Sequence, residues 1–163
     1  AIRVSLTGHL VFSTLHTNDA AGGVTRLLDM GVEPYLVASS VECFVAQRLI
    51  RLICDKCRVE RKPYPALAEQ FGINPAELSK TVLYAGKGCD ECKFTGYKGR
   101  TAMYEIMVIN EALRSMVLQR VSADQIKDKA VSMGMRTLRD DGFAKIKSGL
   151  TTPEEVLRVT EEI

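Results

Sequence analysis

The hydrophobic positions of the chain fall into a few regular patterns. From His9 to His16 (His9-Leu10-Val11-Phe12-Ser13-Thr14-Leu15-His16) the apolar stretch is nearly continuous and rich in strand formers. This predicts a strand buried on both faces of a parallel sheet. Its carboxyl end carries Thr14, His16, Thr17, Asn18 and Asp19, and in open α/β sheets ligands bind outside the carboxyl ends of the strands. Asn18 or Asp19 is placed to cap a helix in which Ala20, Val24, Leu27 and Leu28 recur at helical spacing, with Gly31 placed to end it. Pro34 opens a short helix through about Ser40, and Cys43 to Leu52 predicts a strand that runs directly into Cys54.

Further on, Pro63 and Pro65 break the chain, Ala66 to Phe71 predicts a helix, Asn74-Pro75 starts another, and Val82-Leu83-Tyr84 reads as a short strand. Thr95 to Arg100 is turn-like, and Thr101 to Ile109 alternates apolar and other residues as a strand does. From Glu111 onward the pattern is helical. Leu113, Met116 and Val117 mark one helix; Ile126, Ala130 and Met133 mark another after Ser122; Leu138 to Lys147 is a third with a looser apolar stripe, ended by Gly149. The last helix starts with Thr152 as N-cap, Pro153 at the first helical position and Glu155 placed for a capping box.

Composition narrows the class. The 163 residues are 46% apolar, ordinary for a packed protein of one domain, or of a larger piece with a small one. The net charge of +2, from 22 basic and 20 acidic residues, makes no general case for nucleic acid, although residues 48–62 hold six Lys or Arg against two acids. No apolar run approaches the length of a membrane-spanning helix. The chain opens at Ala1-Ile2-Arg3-Val4-Ser5-Leu6, without methionine and already patterned, and reads as one cut within an element of a longer protein.

The clearest chemistry lies in the cysteines. Cys54-Asp55-Lys56-Cys57 is answered after 31 residues by Cys89-Asp90-Glu91-Cys92. Each short loop aims two sulfurs at one point, and tetrahedral zinc takes four, so the spacing predicts a structural zinc site that closes residues 54–92 into a module. Rubredoxin-like iron, disulfides and free thiols are the alternatives. Four thiolates around Zn²⁺ leave a local charge of −2, which Lys56, Arg58 and Lys93 are placed to offset. A filled four-thiolate site has no open position and is not catalytic. The fifth cysteine, Cys43, has no Cys or His partner at ligand spacing and reads as a small buried hydrophobe. His9 and His16, seven residues apart on one predicted strand, would lie at its opposite ends on opposite faces, so they do not share a metal.

The stretch from Thr7 to Asp19 resembles the histidine box of the secretion ATPases that power type II secretion and type IV pilus assembly. The resemblance continues through Arg26-Leu27, Gly31, Ala46-Gln47-Arg48-Leu49, both cysteine pairs, Gly96 to Thr101, Leu138 to Gly142 and Glu154-Glu155-Val156. It implies a RecA-like P-loop motor, a homo-hexamer in the bacterial cytoplasm, peripheral to the inner membrane. Such a motor hydrolyses ATP with Mg²⁺ and works with inner-membrane platform or adaptor proteins. The four cysteines point to the secretion and pilus-assembly branch rather than to retraction motors. The resemblance further implies that His16 senses the γ-phosphate or stabilises the transition state, that Thr14 aligns it, that His9 is a second member of the box, and that Arg48 reaches a phosphate. No Gly-x-x-x-x-Gly-Lys-Ser/Thr occurs, since Gly86-Lys87-Gly88 is only a glycine-lysine turn, so the phosphate loop is expected before Ala1.

The expected architecture is α/β: the end of a RecA-like core over residues 1–53, a tetracysteine zinc module over 54–100, and a strand plus helical subdomain over 101–163. The rival reading is a non-enzymatic zinc module that binds nucleic acid or a protein partner through the basic residues around Cys54. The near balance of charge, with only Phe94 and Tyr97 close enough to the second cysteine pair to stack bases, argues against nucleic acid.

Overall fold

The helix expected after Asn18-Asp19 forms as Ala20–Asp29 (α2), because Asp19 turns its Oδ1 onto the Gly22 amide at 2.8 Å and removes one orphan donor of the first turn. A short helix, Ile2–Ser5 (α1), precedes it. Pro34–Ser40 (α3) and the strand Cys43–Ile53 (β1) follow, both where the pattern places them. The computed structural model describes residues 1–64, 66–72 and 74–161, so the break expected at Pro65 lies outside the described residues. The chain continues as Arg58–Arg61 (β2), Ala66–Phe71 (α4), Pro75–Ser79 (α5), Leu83–Gly86 (β3), Tyr97–Val108 (β4), Glu111–Leu118 (α6), Ala123–Ser132 (α7), Leu138–Lys147 (α8) and Pro153–Glu161 (α9).

Among the described residues the strands form two two-stranded sheets, β1 with β4 and β2 with β3. Glu42 C=O accepts from Ile109 N–H at one end of the first pair, and Gly96 C=O accepts from Cys54 N–H at the other, so β1 and β4 run antiparallel. In the second pair Arg58 faces Gly86 and Arg61 faces Leu83, also antiparallel. The protein is therefore mixed α/β with small antiparallel sheets.

The chain divides into two compact units that cut across the sequence segments 1–53, 54–100 and 101–163. One comprises residues 1–47 and 104–137. In it α2 packs on α7 and α3 on α6, around Val24, Val37, Leu113, Val117 and Ile126, all essentially without exposed surface. Asn110 caps α6 through the Leu113 amide, and a Ser122–Gln125 capping box starts α7. The other unit comprises residues 48–103 and 138–163. In it α8 lies on α9 over Met103, Ile146 and Val156. A Cβ at Gly142 would stand 2.5 Å from a Val156 methyl and 2.8 Å from Met103 Sδ, so only glycine fits there.

Several expectations are corrected. Residues 9–16 form no strand, and Leu10 and Phe12 are 81% and 89% exposed. A strand buried on both faces needs neighbours that take its backbone N–H and C=O groups. Among the described residues the only ladders are β1–β4 and β2–β3, so composition alone does not hold this stretch extended. Cys43 is exposed rather than buried, because β1 alternates and turns Phe44, Ala46 and Ile50 inward. The turn expected over 95–100 ends at Gly96, and β4 takes up the chain from Tyr97. Thr152 Oγ1 does accept from the Glu155 amide, at 3.3 Å, but the Glu155 carboxylate does not complete a capping box; both its oxygens go to Arg51 and Arg158.

Candidate metal centre

Both cysteine loops hang from paired backbone. The first leaves β1 with Ile53 N–H donating to Leu150 C=O (2.9 Å) and Cys54 N–H to Gly96 C=O (3.0 Å), then turns so that Cys57 N–H reaches Cys54 C=O at 3.2 Å. The second is a short 3-10 helix, Asp90–Cys92, closed by Phe94 N–H donating to Cys89 C=O at 2.9 Å. Lys93 and Phe94 take left-handed backbone conformations at φ 52° and 60°. Lys93 does so without the glycine usual after such a cysteine, which costs about 1 kcal/mol. The second loop is pinched at its base, where Gly86 meets Gly96. A Cβ on Gly86 would lie 2.1 Å from the Gly96 carbonyl oxygen, and one on Gly96, itself at φ +77°, would lie 2.5 Å from that of Gly86.

This framework brings all four sulfurs together, none further than 4.8 Å from another. Cys54–Cys89 and Cys57–Cys92 are each 3.9 Å apart and Cys89–Cys92 3.8 Å. Sulfurs each about 2.3 Å from one tetrahedral zinc would stand about 3.8 Å apart, so the cluster has the dimensions of a four-thiolate metal site. All four thiols are free, and their spacing is nearly twice a disulfide bond of about 2.05 Å. The two cysteine pairs therefore form a site able to hold a metal ion, Cys54 and Cys92 buried, Cys57 and Cys89 half-buried.

Backbone amides prepare the sulfurs for charge. Gly88 N–H donates to Cys57 Sγ (3.3 Å), Cys89 N–H to Cys92 Sγ (3.2 Å) and Gly96 N–H also to Cys92 Sγ (3.3 Å). Burial pushes the Cys92 thiol up, but the two amides, with Cys89 and Cys57, overcome it and bring it down to about 6. Burial pushes Cys57 up to about 11, the Gly88 amide opposing and the neighbouring thiols adding to the rise. The four thiols titrate as one coupled group, and because a metal takes them as thiolates, filling the site releases protons.

Lys56 and Lys93 are exposed, and Arg58 stacks over the Tyr84 ring at 3.7 Å. Lys98, which sequence reasoning missed, is held protonated first by its ion pair with Glu91 and further by Cys54 and Cys89. Its position just beyond the second cysteine pair, at the start of β4, was the available signal.

The other candidate residues do not join this centre. His9, Thr14 and His16 are exposed on the segment without regular structure, where His9 Nδ1 lies 2.9 Å from Thr7 Oγ1. Arg48 is half-buried on β1.

Four sulfurs gathered from two loops form a site able to hold a metal ion, carried by a mixed α/β protein. The family profile described as "Type II/IV secretion system protein" matches residues 1–158, and the chain belongs to that family. It is 46% identical over 162 residues, 99% of its length, to the type IV pilus assembly ATPase PilB of Thermus thermophilus, covering 18% of that protein. It is 44% identical over 162 residues to the type II secretion system protein E of Pseudomonas aeruginosa, again 99% of the chain and 32% of the relative. It is 42% identical over 163 residues to the type II secretion system ATPase E of Vibrio cholerae, with the same two shares. The chain spans about a third or less of the length of these relatives.

Proposed function

We propose that the chain is the C-terminal part of a P-loop ATPase with a RecA-like core that hydrolyses Mg·ATP to drive type II protein secretion or type IV pilus extension. The observation that carries this reading is the similarity over 99% of the chain to proteins named as ATPases of both machines. The 163 residues contain no phosphate-binding loop of their own, so the whole protein supplies it. The parent works as a homo-hexamer in the bacterial cytoplasm, against inner-membrane platform or adaptor proteins. Among the described residues no helix is long and apolar enough to cross a membrane.

Within the parent, residues 1–53 end the ATPase core, 54–100 form the zinc module and 101–163 follow as strand and helical subdomain. Zn²⁺ held by Cys54, Cys57, Cys89 and Cys92 is structural, since four protein sulfurs leave no position for substrate. His16 donates to charge that develops on the transferred phosphoryl group, Thr14 aligns it, and His9 and Arg48 assist. These roles rest on the likeness of Thr7–Asp19 and Ala46–Leu49 to the family pattern, and the exposure of Thr14 and His16 leaves them accessible to a ligand.

The test is turnover in the whole ATPase. A donor used mainly in the transition state costs rate rather than affinity, so His16→Ala is expected to keep nucleotide affinity and lose roughly 10²–10³ in turnover. The 163-residue chain alone is expected to bind no Mg·ATP in calorimetry. Parent-like turnover by His16→Ala, or micromolar binding by the isolated chain, would sink the reading.

A further inference from the structure

Two acidic side chains from distant parts of the sequence meet the start of α2. Glu105, on β4, is 1% exposed, and its Oε1 accepts from the Ala20 amide at 2.8 Å. Asp19 accepts the Gly22 amide on Oδ1 at 2.8 Å and the Lys127 ammonium, from α7, on Oδ2 at 2.8 Å. Thr17 Oγ1 donates to Asp19 C=O at 3.1 Å, so the last residues before the helix are drawn into the same group. Two of the orphan amides at the helix start are thereby taken by carboxylates from outside the helix.

The helix does not need all of this to stay in place. Ala20, Ala21 and Val24 are buried, and Gly23 lets the backbone approach the Phe44 ring, so an apolar face already fixes α2. Burying a glutamate beside an ion pair adds a desolvation cost that stability alone does not call for. Burial opposes ionisation of both Asp19 and Lys127. Their mutual bond, with the Gly22 amide for Asp19 and with Glu105 and Asp124 near Lys127, nevertheless keeps Asp19 below and Lys127 above the usual value. The arrangement fixes the backbone at residues 17–20, just where the exposed segment carrying Thr14 and His16 ends. His16 is three residues from Asp19, within about 11 Å along the chain.

We infer that Asp19, Lys127 and Glu105 form a clamp that positions His16 for phosphoryl transfer. This rests on the proposed role of His16. The three are positioning residues, acting through His16 rather than on the substrate.

The test compares Lys127→Met, Lys127→Arg, His16→Ala and the double variant His16→Ala/Lys127→Met in the whole ATPase. A misplacement of about 1 Å costs on the order of a hundredfold, so Lys127→Met is expected to lower kcat at least about tenfold, with KM for Mg·ATP within about twofold of the parent. Lys127→Arg, which keeps the cation, recovers most of the rate. The double variant is expected to be no slower than His16→Ala alone, because positioning a side chain that is gone has no further effect. A purely structural clamp predicts losses that multiply in the double variant, and that result overturns the inference. Parent-like kcat in Lys127→Met while His16→Ala is slow also overturns it, and leaves the reading of His16 standing. Parent-like turnover by His16→Ala removes that reading, and the inference with it. Lys127 is partly exposed; should the Met variant not fold, Asp19→Asn, which keeps an acceptor for Gly22, is judged by the same criteria.

Discussion

Glu155 offers the most quantitative test of how the unit that carries the four clustered cysteines is held together. Its side chain has no exposed surface, while those of Arg51 and Arg158 are 46% and 48% exposed. One oxygen accepts from the Arg51 backbone amide at 3.0 Å and from Arg158 at 2.9 Å; the other accepts from Arg51 at 2.6 and 3.0 Å and from Arg158 at 3.1 Å. Burial raises its proton affinity, yet Arg158 and then the Arg51 side chain and amide win, and the carboxyl falls from 4.5 to about 2. That is about 2.5 units, or about 3 kcal/mol at about 1.4 kcal/mol per unit. Because the folded value is the depressed one, this stability is complete above about pH 5 and is lost as pH falls toward about 2. Urea unfolding of the parent and of Glu155→Gln is therefore expected to differ by at least about 3 kcal/mol at pH 7, with about 2 kcal/mol of the gap gone by pH 3. A gap that stays constant from pH 7 to pH 3 would refute the reasoning.

Two further predictions concern the metal. Purified protein is expected to hold one zinc per chain, and Cys89→Ser to melt lower and lose amide protection across residues 54–92; no bound metal, or melting like the parent, removes the centre from the account. Gly96→Ala is expected to weaken zinc retention in competition with a chromogenic chelator, because its Cβ would press on the Gly86 carbonyl at 2.5 Å in a φ +77° conformation that disfavours a side chain; parent-like retention contradicts that packing.

Much of the local structure was legible because its cause is local. Asp19 before Ala20 and Ser122 three residues before Gln125 are caps whose bonds the sequence nearly spells out, and Pro34 marks a helix start by its fixed φ. The cysteine spacing carried the centre for the same reason: each pair is one turn, and the sulfurs of a turn have nowhere else to point. What the pattern could not supply were partners. Residues 9–16 have the composition of a buried strand, but a strand depends on its neighbours' hydrogen bonds. Arg58–Arg61 carries no strand pattern because three of its four residues are charged, and it owes its form to pairing with Leu83–Gly86. Glu155 matches the third position of a capping box, and only the approach of Arg51, 104 residues away in sequence, redirects it.

The centre and the C-terminal helices of this unit stabilise one another through shared backbone. A two-stranded sheet of four-residue strands such as β2–β3 is marginal in water, so the cluster must contribute a good part of its order. The same sheet supports the chain at Gly149, where the Arg58–Tyr84 stack leaves no room for a Cβ: an Arg58 nitrogen would lie 2.1 Å and a Tyr84 ring carbon 2.7 Å away. The next residue, Leu150, accepts from the Ile53 amide, and Thr151 Oγ1 donates to Arg51 C=O at 2.8 Å. Thr152 then meets the Tyr97 hydroxyl at 2.6 Å, while Arg51 lies over the Tyr97 ring at 4.2 Å and reaches Glu155. Gly149, Leu150 and Thr151 thus lean on β1 or β2, which end or begin beside a cysteine of the cluster, and Thr152 leans on the start of β4. Loosening the four sulfurs is therefore expected to remove the footing of α9 as well as of the loops, and amide exchange in Cys89→Ser to quicken beyond residues 54–92.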